Sequence, residues 1–295
     1  MDKRAVDKLI EDRYQTLPPA LQRAARYAID HPKEMALHSM RSIAASAGLP
    51  ASAMHRLACQ LGFDGYEALR NVYRQWVAQD GSSFSERATA LQKRGDATEA
   101  LAKELLAADG QNLAQMITPE TLGVIRQARD VLAQARRIYV AGLRSLFPAA
   151  FYFHYASAMF MDNTTLLTGI AGAFADGLRR AGEQDALLVF SYHPYARETL
   201  NAVKFARQQG LHVVAVTDSV LSPVARQAQT AIVVGNATPS LFPSVVPALS
   251  VAQTLVALLL ANGGADSLRE IARSEAQLDQ FSVYTQERGA RAARR

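Results

Sequence analysis

Five consecutive residues near the middle of the chain, Ser191-Tyr192-His193-Pro194-Tyr195, carry side chains suited to holding a small molecule. They follow an apolar run ending at Phe190 and precede an amphipathic helical stretch, after which a second apolar run, 212–217, ends on Asp218. Strand, polar turn, helix and strand make one βαβ unit over 186–218. A turn leaving the C-terminal end of a parallel strand and opening a helix presents free backbone N–H groups and the positive end of the helix dipole. Ligands of open α/β sheets bind at such turns. A second turn of this kind, Gly142-Leu143-Arg144-Ser145, follows the apolar run 138–141. Arg144 together with Ser145, Ser191 and His193 suits a carboxylate or a phosphate. Tyr192 and Tyr195 offer flat walls or hydroxyls. Arg197 is the weaker member, because a basic residue opening a helix opposes its dipole unless an anion, Glu198 or Asp218 sits beside it. Purely structural roles are open as well: Arg144 as a brace of the sheet edge or a partner of Asp162, and His193 as part of a rigid turn before Pro194.

A second constellation lies near the N-terminus. Met40, Ile43, Ala44 and Ala47 recur at helical spacing and stop at Gly48; after Pro50, Met54, Leu57, Ala58 and Leu61 recur likewise and Gly62 closes the run. Two short helices joined through a glycine turn are what a helix-turn-helix requires. In that geometry the second helix enters the major groove of double-stranded DNA, and its polar positions here are Ser52, His55, Arg56 and Gln60. Arg56 can pair bidentately with a guanine, Ser52 can serve a base or a phosphate, and His55 can donate to either. Arg41 and Lys33 suit phosphate positioning. The same periodicity also fits a helical cap or a dimerisation module, with Arg56 in a surface salt bridge.

These residues are positioned by two halves of different period. Up to about residue 78 the pattern is helical, and Asp80-Gly81-Ser82-Ser83 is the best linker. Helices resume, and from Arg137 short apolar runs appear at 138–141, 165–167, 187–190, 213–216 and 231–234. Helical stretches separate most of them, which predicts a five-stranded parallel sheet sandwiched by helices, of flavodoxin-like or Rossmann-like type. The apolar window 245–261 predicts a buried helix with Pro247 in its first turn. Of the 295 residues 49% are hydrophobic and 20% charged, and the net charge of +5 is too mild to argue for nucleic acid by itself. Much of that excess sits in the terminal Arg288, Arg291, Arg294 and Arg295, which read as a solvated tail. The single cysteine, Cys59, rules out an intramolecular disulfide and reads as a buried structural thiol. The six histidines show no metal-ligand spacing, so no metal and no cofactor is expected. Residues 1–12 alternate charge with isolated apolar residues and show no signal peptide, so a cytosolic protein without membrane segments is expected.

The run Leu17-Pro18, Ile29-Asp30-His31-Pro32, Ser39, Ile43-Ala44, Ala47-Gly48, Arg56-Leu57 and Leu61-Gly62-Phe63-Asp64-Gly65-Tyr66 resembles the helix-turn-helix of the RpiR/MurR family of bacterial transcriptional regulators. The resemblance implies a C-terminal SIS (sugar isomerase) domain with the sheet described above, and so covers nearly the whole chain. It implies four segments: a helix-turn-helix domain over 1–79, a helical linker over 80–126, a SIS ligand-sensing domain over 127–273, and a C-terminal helix and basic tail over 274–295. Where the family has a serine at the entrance of the second helix and a threonine further in, this chain has Pro50 and Ala53. The missing N-cap hydroxyl costs about 1 kcal/mol of helix stability and removes one DNA contact.

The family's phosphosugar loops are of the type Gly-x-Gly-Ser-Ser and Ser-x-Ser-Gly-x-Thr. Gly142, Ser145 and Ser191 match them, but Arg144 replaces a small residue, and His193, Pro194 and Ala196 stand where serine, glycine and threonine are usual. The cradle loses hydroxyls and gains a permanent cation and an imidazole, which favours a carboxylate or a differently placed phosphate. The implied function is a DNA-binding regulator, a homodimer or homotetramer on operator DNA, that responds to a small anionic effector. The alternative is a sugar-phosphate isomerase or another SIS-domain enzyme, since SIS domains also occur in aldose–ketose isomerases. That would require an acid–base pair such as His193 with Glu198 or Glu183, which no spacing supports. A non-enzyme with no catalytic residues is expected.

Overall fold

The computed structural model describes residues 3–79, 84–95 and 97–285. The linker at 80–83 and the terminal arginines lie outside the described residues. In chain order the helices and strands are α1 (Lys3–Arg13), α2 (Pro19–Asp30), α3 (Pro32–Leu37), α4 (Met40–Ser46), α5 (Ala51–Gln60), α6 (Tyr66–Gln79), α7 (Phe84–Lys93), α8 (Thr98–Met116), α9 (Pro119–Gln134), β1 (Ile138–Gly142), α10 (Phe147–Ser157), β2 (Thr164–Leu167), β3 (Ala186–Ser191), α11 (Arg197–Gln208), β4 (His212–Thr217), β5 (Thr230–Val233), α12 (Val246–Ala261) and α13 (Gly264–Gln280). Two compact units result. One runs through Gln111 and includes Ser219–Arg226 and Ala237–Ser244; the other holds Asn112–Asp218, Gln227–Asn236 and the chain from Val245.

In the helical unit, Leu21, Ala24, Ala25 and Ala28 of α2 meet Ile43 and Ala44 of α4 and Ala53, Met54, Leu57 and Ala58 of α5 in one core. The alanines keep the helices close. Both helices of the expected helix-turn-helix end in the same way. After α4, the Gly48 N–H donates to the Ala45 carbonyl and the Leu49 N–H to that of Ala44. After α5, the Gly62 N–H donates to Cys59 and the Phe63 N–H to Ala58. Each is a Schellman motif, and it needs a residue at positive φ, which Gly48 (65°) and Gly62 (86°) supply. The Leu61-Gly62-Phe63 run in the sequence is this helix stop. Ser39 caps α4 by accepting from the Ser42 N–H, whereas Pro50 leaves α5 without a side-chain cap. Arg70 and Arg74 donate to the Ala36 carbonyl, and Arg70 also to that of Leu37, so two of the unit's arginines serve the C-terminal end of α3.

In the other unit the sheet order is β2-β1-β3-β4-β5, all parallel. The central strands are apolar throughout because both faces are covered. Ile138, Val140, Leu188, Phe190, Val214 and Val216 point to the side packed by α9, α10 and α12. Alternate residues point to the side where α11 lies on β3 and β4. The expected strands all form, each within a residue or two of its predicted bounds, and α12 is the buried helix expected over 245–261. One difference is at the C-terminal side: α13 begins at Gly264 and runs unbroken through the expected boundary at 273/274. The break between α12 and α13 falls at Asn262-Gly263, and Gly264 follows at φ 68°. Among the described residues no single helix is long and apolar enough to cross a membrane.

The sheet is locked at its N-terminal end by Asp185, whose carboxylate is fully buried and grips Arg136 at 2.9 and 2.8 Å and the Gly182 N–H at 2.9 Å. Burial alone would raise this carboxyl, but the Arg136 guanidinium and the Gly182 N–H outweigh it and hold the pKa below the ordinary aspartate value. Asp185→Ala is therefore expected to cost about 1–2 kcal/mol, because it leaves the Gly182 N–H without its acceptor while water takes up the exposed Arg136. A lowered native pKa means that the contribution is complete above the ordinary value of about 4 and is lost as pH falls below it. Denaturant midpoints of the wild type and Asp185→Ala across pH 3–7 should converge at the acid end; a constant gap would refute the assignment.

Candidate functional site

Strand order places the candidate site. From β1 the chain moves outward to β2 on one side and, through β3, to β4 and β5 on the other, so the topological switch point lies between β1 and β3. Gly142 pairs in register with Phe190, which puts the 142–145 turn and the 191–195 turn at neighbouring strand ends. Gly142 is required by close packing: a Cβ there would lie 2.7 Å from the Leu146 carbonyl oxygen and 2.8 Å from the Ala150 Cβ. Arg144 follows at φ 59°, in the left-handed region that a side chain disfavours. It is exposed, and its guanidinium has no ion pair among the described residues; Asp162 is not its partner. Ser145 is half-buried beside it.

In the second turn Ser191 is buried at the end of β3 and His193 is exposed. Tyr192 is 7% exposed and packs in the hydrophobic core; burial, and then the Asp218 carboxylate, push its hydroxyl's pKa up, so it stays neutral. Its ring is therefore part of the core and not an open wall. Tyr195 donates its hydroxyl to Asp218 Oδ1 (3.0 Å), and the His193 N–H donates to Asp218 Oδ2 (2.9 Å). Asp218 thus fixes the turn, a role the sequence reading missed. The signal was there, since an acidic residue ending β4 sits beside the β3 turn in any parallel sheet of this order. Arg197 is exposed and pairs with neither Glu198 nor Asp218. No side chain caps α11, whose N-cap is Ala196, so its first-turn N–H groups face the turn uncapped.

On α5, Ser52, His55, Arg56 and Gln60 are all exposed and lie along one face, while Ala53, Met54, Leu57 and Ala58 are buried on the other. Arg41 is exposed near the start of α4; Lys33 lies in α3, and its side chain is outside the described residues. Cys59 is corrected by the structure. It is exposed and shares the polar face, with its Sγ 3.7 Å from His55 Nε2. Core positions 53, 54, 57 and 58 force 52, 55, 56, 59 and 60 outward at 3.6 residues per turn, whatever the residue type. The His55 ring also packs at Gly65, where a Cβ would stand 3.3 Å from its Cε1. Arg13 donates to the Gln60 carbonyl and closes the end of α5. Among the described residues no cluster of three or more His, Cys, Asp or Glu could hold a metal ion.

Taken together, a topological switch point on a five-stranded parallel sheet and two helices joined by a glycine turn with a polar outer face define an α/β domain preceded in sequence by an N-terminal helical region. The SIS-domain family matches residues 131–261. The HTH-type transcriptional regulator HexR of Pseudomonas aeruginosa is 25% identical over 225 residues, 74% of each chain. An uncharacterized HTH-type transcriptional regulator of Haemophilus influenzae is 24% identical over 231 residues, 76% of this chain and 77% of that one. In fold, the chain is similar to the Vibrio vulnificus NanR protein complexed with ManNAc-6P (TM-score 0.55, 16% identity, 94% and 98% covered). It is also similar to the sugar isomerase domain of an RpiR transcription factor from Sphaerobacter thermophilus (TM-score 0.52, 24% identity, 63% and 100% covered). Residues 131–261 are thus a SIS domain, and the chain as a whole is similar to HTH-type transcriptional regulators. Both of these curated relatives are named as HTH-type transcriptional regulators.

Proposed function

We propose that this protein is a DNA-binding transcriptional regulator that senses a small anionic metabolite, a sugar phosphate or a sugar-derived carboxylate, at the switch point between β1 and β3 and alters its hold on operator DNA accordingly. The observation that carries the reading is Arg144, whose guanidinium has no ion pair among the described residues and which is kept in a disfavoured backbone conformation at the switch point. Ser145, Ser191, His193 and the uncapped start of α11 supply hydrogen bonds around it, and Arg197 adds a second cation at the rim. The NanR structure was obtained with a sugar phosphate, which supports the ligand class; the replaced hydroxyls at 193 and 196 support a different set of contacts. On the DNA side, Ser52, His55, Arg56 and Gln60 read base edges, with Arg41 and Lys33 on phosphates. A cytoplasmic homodimer or homotetramer presents two such helices to a two-fold symmetric site.

The test is a thermal-shift screen of sugar phosphates and sugar acids, followed by binding to the gene's own upstream DNA and to random DNA at one salt concentration. A ligand that binds only the folded state raises its apparent stability. A hit that also changes the preference for upstream DNA is the expected result. A protein without any such preference, or one that turns over a sugar phosphate, refutes the reading.

A further inference from the structure

From Ser145 to Met161 the chain holds no Asp, Glu, Lys or Arg, and α10 lies inside that run. Its Ala149, Ala150, Phe153 and Ser157 are buried where the helix packs on the sheet and on α12. The outer face is aromatic as well. Phe147, Phe151 and Tyr155 recur at every fourth residue, and their rings stack in a ladder with centroids 6.0 Å apart at both steps. The ladder is extended by the chain that follows α13. The Tyr284 hydroxyl is hydrogen-bonded to that of Tyr155, and the Ser274 hydroxyl ties α13 to the Met159 carbonyl at 3.1 Å. Phe151 and Tyr155 are 48% and 55% exposed, and Phe281 and Tyr284 are 73% and 64% exposed. All of these residues belong to the α/β unit.

We propose that this aromatic face of α10 and the adjoining 281–284 segment is where a second copy of the chain packs. The proposal gives a surface to the homo-oligomer put forward above and rests on that reading in this respect alone. A helix that is apolar on every side is ordinarily buried on every side, and α10 is covered within its own unit on only one. Charge chooses the occupant. A closed two-fold contact sets the same patch against itself, so an uncharged face meets an uncharged face and no ion is desolvated. Homodimer interfaces are also the more apolar class, rich in aromatic side chains. The area is sufficient. At roughly 150–250 Å² per aromatic side chain, the exposed parts of Phe151, Tyr155, Phe281 and Tyr284 leave about 500 Å² open on each copy. Two copies together bring about 1,000 Å², the size at which a specific interface begins, before Val283 and the helix backbone are added.

Sedimentation of the full chain at micromolar concentration, without ligand or DNA, tests the proposal. The wild type should run as a dimer or larger. Phe151→Glu places a charge in the middle of the ladder and should weaken self-association by at least about 30-fold, the size of a hot-spot loss, with an unchanged circular dichroism spectrum. Tyr155→Glu should do the same at a second position, so that a folding defect at one does not stand in for loss of the interface. Phe151→Leu, which keeps the face apolar, should stay associated, as should Leu37→Glu at an exposed apolar position of the helical unit. A wild type that is monomeric, or folded Phe151→Glu and Tyr155→Glu variants that associate as the wild type does, overturns the proposal. A monomer that floats with phosphatidylglycerol vesicles overturns it too and gives the face to a lipid surface. A monomer that still prefers one DNA sequence sinks the interface and spares the regulator reading, whereas a dimer that prefers none does the reverse.

Discussion

Arg56→Ala should reduce the ratio of operator to random-DNA affinity by about 5- to 150-fold, the 1–3 kcal/mol of discrimination that a bidentate arginine–guanine pair provides. Stability should move by no more than about 0.5 kcal/mol, because Arg56 is exposed and the buried positions of α5 are untouched. Salt dependence separates base reading from phosphate contact. A base reader leaves the slope of log affinity against log salt unchanged, whereas a phosphate contact lowers affinity for both DNAs and reduces that slope by about 0.9. Arg41→Ala, on the expected phosphate side, should behave in the second way. An unchanged specificity ratio in Arg56→Ala would remove α5 from sequence reading.

Arg144→Gly should weaken binding of the anionic effector by about 10- to 150-fold, the value of a charge-assisted hydrogen bond of roughly 1.5–3 kcal/mol. The glycine substitution is the informative one. At φ 59° an ordinary side chain is strained by about 1 kcal/mol, which glycine relieves, while glycine's freer unfolded chain costs about as much. The unliganded protein should thus melt at nearly its wild-type temperature, or slightly above it, with most of the ligand-induced shift gone. Arg144→Ala should lose the same ligand affinity and keep the strain, so it melts no higher than the glycine variant. If Arg144→Gly retained the full ligand shift, the guanidinium would be outside the binding site, and its backbone conformation would have only a structural meaning.

The features legible in the sequence are those that depend on neighbours along the chain. Gly48 and Gly62 marked the helix stops because only a residue tolerant of positive φ closes a Schellman motif, and the five apolar runs marked the strands because a parallel sheet buries both faces. The two site turns were legible for the same reason, since polar residues directly after buried strands must lie at a strand end. Cys59 was misplaced because its residue type was weighed above its position on the helix; the periodicity of its own neighbours puts it outside.

By itself, then, the sequence determined the two halves, their secondary structure and the position of the crevice-forming turns, because hydrophobic period and turn chemistry act over a few residues. The tertiary structure alone decided which side chains remain free there. It buried Tyr192 in the core, tied Tyr195 and the 193 N–H to Asp218, left Arg144 at positive φ with no ion pair among the described residues, and drew Ser219 and Leu221 into the helical unit. Each of those outcomes depends on strand register and on packing between residues far apart in sequence, from Asp218 and its turn 25 residues earlier to Ser219 and Glu11, 208 residues apart. No local pattern encodes such pairings.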